Sequence, residues 1–315
     1  MLIDAAHSHL HEIEVDRVDR NPDNPRLVFR SGELEALTES IRRHGVQVPI
    51  SVYQEGRRYI LIDGERRWRS SIKLNKKTIP ALIQAKPDDL TNVLLMFNIH
   101  SLREQWDLLT IALKLPHVIK LLTARQGKEP SEKDLSDETG LLRSVIRRSR
   151  LLMDLPESYR SELLEELKKP KSQQKLSEDF FIEMERALKT VERSVPDLIK
   201  DKNKVRDVLI TKYKKDVIHD MTDLRQVGKI ARADKVAADT GKAREALTKL
   251  FRPNTYSPQK AYEESVVDAY EERDLLTRIE SLLERLQSIT PAKLDDQLRE
   301  ALAKLVARAS QLLRK

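Results

Sequence analysis

The chain contains no cysteine, which excludes disulfides, thiolate zinc sites and cysteine nucleophiles and suits a reducing compartment. Aromatic residues make up only 4% of the 315 residues, a poor supply for a β-sandwich core. No stretch approaches the roughly eighteen consecutive apolar residues of a membrane-spanning helix. The first twenty residues also lack the continuous apolar segment of a signal peptide. Gly-x-x-x-x-Gly-Lys-Ser/Thr, Gly-x-Ser-x-Gly and His-Glu-x-x-His are absent, which closes the Walker-type ATPase, nucleophile-elbow hydrolase and zinc-protease readings. Charge, by contrast, is plentiful: 35% of residues are Asp, Glu, Lys or Arg, with 58 cations against 51 anions and a net charge of +7. A cationic surplus of this kind suits an acidic partner such as nucleic acid. The expectation is a soluble, cytoplasmic protein with no membrane partner and two or three folding units.

Two textures divide the chain. Up to about residue 85, short apolar runs alternate with turn residues, and Ile13-Glu14-Val15, Pro49-Ile50-Ser51-Val52, Tyr59-Ile60-Leu61-Ile62 and Ile79-Pro80-Ala81-Leu82-Ile83 read as strands. Leu34, Leu37 and Ile41 recur at helical spacing and Gly45 follows as a stop, while Trp68, Ile72 and Leu74 form the apolar side of a second helix. Beyond residue 90 the pattern is helical, punctuated at Pro116, Pro130, Pro156, Pro170, Pro196 and Pro253. Near the end, Leu275, Ile279, Leu282, Leu286 and Ile289 keep a 4-3-4-3 spacing. Thr290-Pro291 reads as a new N-cap and first helical residue, after which Leu294, Leu298, Leu302, Leu305 and Leu312 restart the stripe. These two helices make either an intramolecular hairpin packed on the body or a dimerisation element.

The densest chemistry lies at Leu61-Ile62-Asp63-Gly64-Glu65-Arg66-Arg67-Trp68-Arg69, a strand that ends at a glycine and opens into a helix. Free amides at the helix start and the forked cations of Arg66, Arg67 and Arg69 make an anion site for phosphate oxygens, or else a solvated basic helix start. Glu65 could hold a divalent ion, accept from a sugar hydroxyl or pair with a neighbouring arginine. His7, His9 and His11 alternate and would share a face in an extended segment, but no cysteine or carboxylate pattern accompanies them as metal ligands.

Taken in order, Asn24-Pro25-Arg26, Phe29, Leu37, Ser40-Ile41, Gly45, Gln47, Pro49-Ile50, Val52, Tyr59-Ile60-Leu61-Ile62, Gly64-Glu65-Arg66-Arg67-Trp68-Arg69 and Ile79-Pro80-Ala81-Leu82-Ile83 resemble the N-terminal domain of the ParB partition-protein family over about residues 10 to 100. The resemblance implies an α+β, sulfiredoxin-like domain that binds CTP and closes as a clamp on DNA. It places Ser40, Gly45 and Gln47 on the nucleotide side near base and sugar. Gly64, Glu65, Arg66, Arg67 and Arg69 fall at the phosphates, and Asn98 in a third nucleotide motif is a candidate Mg ligand. That third motif is altered. Phe97 stands where the family carries a metal-coordinating glutamate and Ser101 where it carries an arginine, with Arg103 nearby as a substitute cation. The change weakens the case for Mg-dependent CTP hydrolysis more than the case for nucleotide binding.

A second region runs from Pro130 to Arg148. Ser131 with Asp134 has the spacing of a capping box, Gly140 supplies a tight turn, and Val145 and Ile146 give the next helix a buried side, which is helix-turn-helix spacing. Arg143, Ser144, Arg147, Arg148 and Arg150 lie on that second helix with no acid between residues 140 and 150, as a helix facing duplex DNA requires. Arginines on a solvated helix face are the bland alternative, and Leu142 stands where a Ser or Thr usually caps such a helix. Leu151-Leu152-Met153-Asp154-Leu155-Pro156-Glu157 resembles the family's ending of the same domain. Residues 200–235 hold eleven lysines and arginines against six aspartates, either a non-specific DNA-facing stretch or an ordinary solvated helix.

The expected layout is a ParB-like nucleotide-binding domain over 1–100, an all-α helix-turn-helix domain over 101–198, a basic helical connector over 199–262 and amphipathic C-terminal helices over 263–315. The expected function is a nucleoid-associated, homodimeric, sequence-specific DNA-binding partition protein. Its expected ligands and partners are CTP, Mg, a parS-like double-stranded site and a ParA-type ATPase, and weak CTPase activity stays open. The alternative is a ParB-like transcriptional regulator with a degenerate nucleotide pocket. A nuclease or kinase on the same fold finds no acid or nucleophile cluster to support it.

Overall fold

The computed structural model describes residues 10–22, 24, 31–101, 107–237, 239–290 and 294–314, with the side chains of residues 31–33 and 99–101 left aside. The chain divides into two compact units, Met1–Arg186 and Ala187–Lys315. In the first unit, β1 (Leu10–Glu14), β2 (Val18–Asp19), α1 (Ser31–His44), β3 (Ile50–Glu55), β4 (Arg58–Asp63), α2 (Glu65–Lys73) and β5 (Thr78–Gln84) follow one another. The strands form one mixed sheet in the order β1-β5-β3-β4-β2. β3 runs parallel to β5 and β2 parallel to β4, whereas the β3–β4 and β1–β5 pairs are antiparallel. Period-two alternation turns Ile13, Val52, Ile79 and Ala81 inward, where they meet Val15, Val18, Ile50 and Leu61. Burial of each larger aliphatic side chain contributes about 1.5–3 kcal/mol. All four expected strands are present, and the two-residue β2 was not foreseen.

Helix α2 departs from its expected apolar side. Trp68 packs on the sheet core, but Ile72 is 47% exposed and Leu74 lies beyond the helix end. The buried residues of α2 are Glu65, Ser70 and Ser71. Small serines allow α1 to approach closely, and the hydroxyls find partners: Thr38 Oγ1 donates to Ser70 Oγ at 2.9 Å, and Ser71 Oγ to the Arg67 carbonyl at 2.9 Å.

The rest of the first unit is helical: α3 (Asp89–Ser101), α4 (Leu108–Gln126), α5 (Glu132–Thr139), α6 (Arg143–Met153), α7 (Glu157–Lys168) and the larger part of α8 (Glu178–Ser194), within which the division between units falls. Val93 and Phe97 of α3 share one core with Leu115, Val118 and Leu122 of α4, Leu135 of α5 and Ile146 of α6. Pro116 was expected to punctuate the chain, yet α4 runs through it. The proline forfeits one ladder hydrogen bond, and Leu115 and Val118, both fully buried beside it, offset the loss.

The second unit holds the end of α8 with α9 (Lys202–Lys214), α10 (Leu224–Ala231), α11 (Gly241–Leu250), α12 (Pro258–Glu263), α13 (Val267–Gln287) and α14 (Asp296–Leu313). Leu209, Leu224, Val227, Leu247, Leu250 and Ala261 are buried in it. No residue of α13 or α14 is buried, so the C-terminal stripes are not packed against a body. The expected helix start at Thr290-Pro291 moves to Asp296, because Asp295 caps the helix by accepting from the Leu298 amide at 2.7 Å; Pro291 itself lies outside the described residues.

Candidate functional site

Gly64 adopts φ +99° as the N-cap of α2, and a Cβ placed there would sit 2.7 Å from Ile50 Cγ2. Only glycine accommodates both demands, so the strand β4 turns into α2 at close range to β3. The first side chain of the helix, Glu65, is 5% exposed and accepts from Asn24 Nδ2 at 2.5 Å and from Arg69 Nη2 at 2.6 Å and Nε at 2.8 Å. Arg20 Nε stands 3.4 Å from the same carboxylate. Pairing with an arginine, one of the three readings open for Glu65, is present in the structure. Arg67 is also held internally: its guanidinium donates to the carbonyls of Val48 at 2.7 Å and Pro49 at 2.6 Å and to Asp63 Oδ2 at 2.9 Å. Arg66 is half-buried. Of the three arginines expected at the phosphates, Arg67 and Arg69 thus have internal partners in this structure. An i,i+4 carboxylate lies within reach of each, and a backbone carbonyl pair completes the fork of Arg67.

Arg67 ties the Val48-Pro49 segment to α2 and so brings the Gly45–Pro49 loop beside Gly64. Gly45 has φ +72° and closes α1 by donating its amide to the Ile41 carbonyl at 3.0 Å. Gln47 donates its side-chain amide to the His44 carbonyl, and Ser40 is exposed on α1. Asn98 is placed elsewhere, donating Nδ2 to the Glu138 carbonyl at the end of α5, at 3.2 Å. Phe97 is fully buried among hydrocarbon. This surrounding does not fit a divalent cation, and among the described residues no three His, Asp or Glu side chains gather as a metal site. His7, His9, Arg26, Phe29 and Arg103 lie outside the described residues, as does the side chain of Ser101.

The structure adds residues that sequence reasoning passed over. Asn21 and Asn92, both buried, meet at 3.1 Å, and Lys114 Nζ donates to the Pro22 carbonyl at 3.1 Å. With Arg20, Asn24 and Glu65 they form a polar cluster joining the segment after β2 to the starts of α2 and α3. Asn24 and Glu65 stand in blocks the sequence singles out, but no motif joins them to Arg20, Asn21, Asn92 and Lys114, since the members are scattered from residue 20 to residue 114. Helix α3 carries Asn92 at one end of this arrangement and, about 9 Å further along its axis, Asn98 against α5.

Helices α5 and α6 are joined by a tight turn with Gly140 at φ +70°. Ser131 and Asp134 make the expected capping box, with the Asp134 amide donating to Ser131 Oγ at 3.2 Å and the Ser131 amide to Asp134 Oδ2 at 2.9 Å. Helix α6 starts at Leu142 with no side-chain cap. Ile146, Ser149 and Leu152 face inward, whereas Arg143, Ser144 and Arg147 are exposed and Arg150 is half-buried beside them. Arg148 turns the other way and pairs with Asp179 of α8. Next to Asp179, Glu178 accepts the Leu109 amide at 2.6 Å and so caps α4; burial, with Asp107 and Asp179 adding repulsion, pushes its carboxyl up to about 7.

Residues 3–99 match the family described as ParB N-terminal domain. The N-terminal third of the chain carries a ParB N-terminal domain. A nucleoid occlusion protein of Bacillus thuringiensis is 33% identical over 161 residues, covering 50% of this chain and 53% of that protein. A probable chromosome-partitioning protein ParB of Pseudomonas putida is 33% identical over 156 residues, 49% of this chain and 51% of its own. The chain spans about half the length of the curated relatives it matches. Among solved structures, C-terminally truncated ParB from Caulobacter crescentus on its centromeric parS site is 22% identical with a TM-score of 0.42, covering 70% of this chain and 98% of that one. The same protein with CTP-gamma-S is 21% identical with a TM-score of 0.29, covering 76% and 98%. The matched N-terminal domain holds the mixed sheet, and the rest of the chain is largely helical.

Proposed function

We propose that the chain is a sequence-specific DNA-binding protein of ParB type that serves chromosome or plasmid partition, reads duplex DNA with α5–α6 as a helix-turn-helix, and binds CTP between the Gly45–Pro49 loop and the start of α2. The observation that carries the reading is the double attachment of α3, through Asn92 to the polar cluster around Glu65 and through Asn98 to the end of α5. A ligand that rearranges one end of this helix acts on the other, which is the physical requirement for coupling a small anion to a DNA-reading head.

In this reading Arg143, Ser144 and Arg147 meet phosphates and base edges in the major groove, Arg150 flanks them, and Arg148 positions α6 through Asp179. Ser40, Gly45 and Gln47 serve base and sugar, while Gly64, Arg66, Arg69 and Arg20 serve the phosphates, with the Arg69–Glu65 pair exchanged for Arg69–phosphate on binding. The ParB relatives support a parS-like duplex as the DNA partner. A ParA-type ATPase and pairing of two copies through α13 and α14 complete the proposal, since two-fold DNA sites call for two reading heads.

Calorimetry with CTP, with and without a parS-like duplex, tests the coupling. The expected result is a measurable CTP affinity that the duplex changes, with CTP changing duplex affinity by the same factor. Chromatin immunoprecipitation from the native host supplies the site, and occupancy confined to that site with no spreading counts against a sliding clamp. The internal pairing of Arg67 and Arg69 and the burial of Phe97 favour a second reading, a ParB-like regulator that binds its operator without nucleotide. Intact duplex binding with no heat from any nucleotide would establish it.

A further inference from the structure

We infer that the second helical unit carries a pocket for a small monocarboxylate, with the Lys212 ammonium as its anchoring cation. Lys212 was expected to belong to a DNA-facing or solvated basic stretch and is instead 2% exposed. Its Nζ donates to Asn254 Oδ1 at 2.9 Å and to the Tyr256 carbonyl at 2.6 Å. Both acceptors are neutral. An ammonium carries three donors, so one remains for a further acceptor, and a buried cation without a counter-charge is costly. Beside it opens a cavity of about 310 Å³, at the lower end of the range for small-ligand sites. The other lining residues are half-buried or exposed, which makes Lys212 the floor and leaves an entrance above it.

The walls specify the ligand class. Lys215 adds a second cation and Asp207 one anion, so the charged lining sums to +1 and balances one negative charge. Thr211 and Thr255 supply hydroxyl donors for carboxylate oxygens, whereas Val208, Val217 and Pro253 offer apolar contact for a short hydrocarbon body. A multiply charged phosphate would overbalance the site and leave those walls unused. Burial lowers the Lys212 ammonium to about 8. A bound carboxylate favours the charged form, so binding draws in a proton above that pH and weakens as pH rises. The other ionisable groups around it are Asp207 on α9, Lys215 just past its end, and Tyr256, whose hydroxyl donates to Glu264 Oε2 at 2.7 Å and whose ring lies 4.2 Å beneath Lys249 Nζ.

Calorimetric titration of the full chain with hexanoate, and with hexanamide as its neutral counterpart, tests the assignment. One saturable hexanoate site is expected, with hexanamide weaker by about tenfold or more and hexanoate affinity falling as pH is raised through 8. Lys212→Met is expected to weaken hexanoate by about tenfold or more and to flatten its pH dependence. Val208→Trp fills the cavity from its wall without touching the ammonium and is expected to abolish binding, with circular dichroism confirming the fold. Absence of saturable hexanoate binding, equal affinity for hexanamide, or unchanged binding in Val208→Trp each overturns the inference. Should Lys212→Met not fold, the amide comparison and Val208→Trp decide.

Discussion

At position 64 a side chain meets two separate obstacles, a left-handed backbone and the Ile50 methyl at 2.7 Å. Gly64→Ala is therefore expected to lower stability by about 2 kcal/mol or more, read as a shift in the denaturant midpoint at constant slope. Glu65 presents the opposite case, a buried carboxylate whose charge is balanced from several sides. Glu65→Gln keeps the shape but removes the charge facing Arg20 and Arg69, and about 3 kcal/mol of stability is expected to go with it. The importance of Gly64 and of the arginines after it was legible from the run of residue types. Their partners were not. Arg67 bonds to carbonyls of residues 48 and 49, which carry no side-chain signature, and Asn21 meets Asn92 across 71 positions of sequence.

Among the helices, α6 offers the sharpest tests. Leu142 has an extended backbone and a 70% exposed side chain at a helix start with no cap. Leu142→Ser is expected to raise stability by about 1 kcal/mol in thermal unfolding. If α5–α6 reads duplex DNA as proposed, Arg143→Ala and Arg147→Ala should each weaken duplex binding and, where the lost contact is to a phosphate, reduce the steepness of its salt dependence by about one unit in a log–log plot of anisotropy data. Arg148→Ala should affect thermal stability while leaving that slope alone, because its partner is Asp179. Glu178 gives α8 a pH response. Its carboxyl titrates near 7 in the fold and lower in the open chain, so the native state holds more protons across the interval between. Stability is then expected to fall as pH rises from about 5 to 7, at no more than about 1.4 kcal/mol per pH unit, and Glu178→Gln should flatten that profile. Periodicity located α1, α5, α6 and α13, and at α5 a capping box agrees with it. It misjudged α2, whose inner face is serine, and α4, where core contacts outweigh one proline.

For the molecule as a whole, the exposed apolar positions of α13 and α14 bear on the proposed pairing of two copies. Leu275, Ile279 and Leu282 are 59%, 43% and 36% exposed along α13, and Leu305 and Val306 are exposed on α14. Replacing the three α13 residues with serine is expected to shift sedimentation equilibrium toward monomer if these helices pair two chains. The change in texture near residue 85 was readable because strand and helix periods differ. The place where one compact unit gives way to the next was not, since it falls inside the continuous helix α8. The rims of the sheet bear on assembly too. One rim is the two-residue β2, and the other, β1, carries Glu12 and Glu14 on an otherwise short strand. Such rims make a poor template for adding a foreign strand. Fibrillar growth by strand recruitment is thereby discouraged, even where many copies of the chain are held at high local concentration.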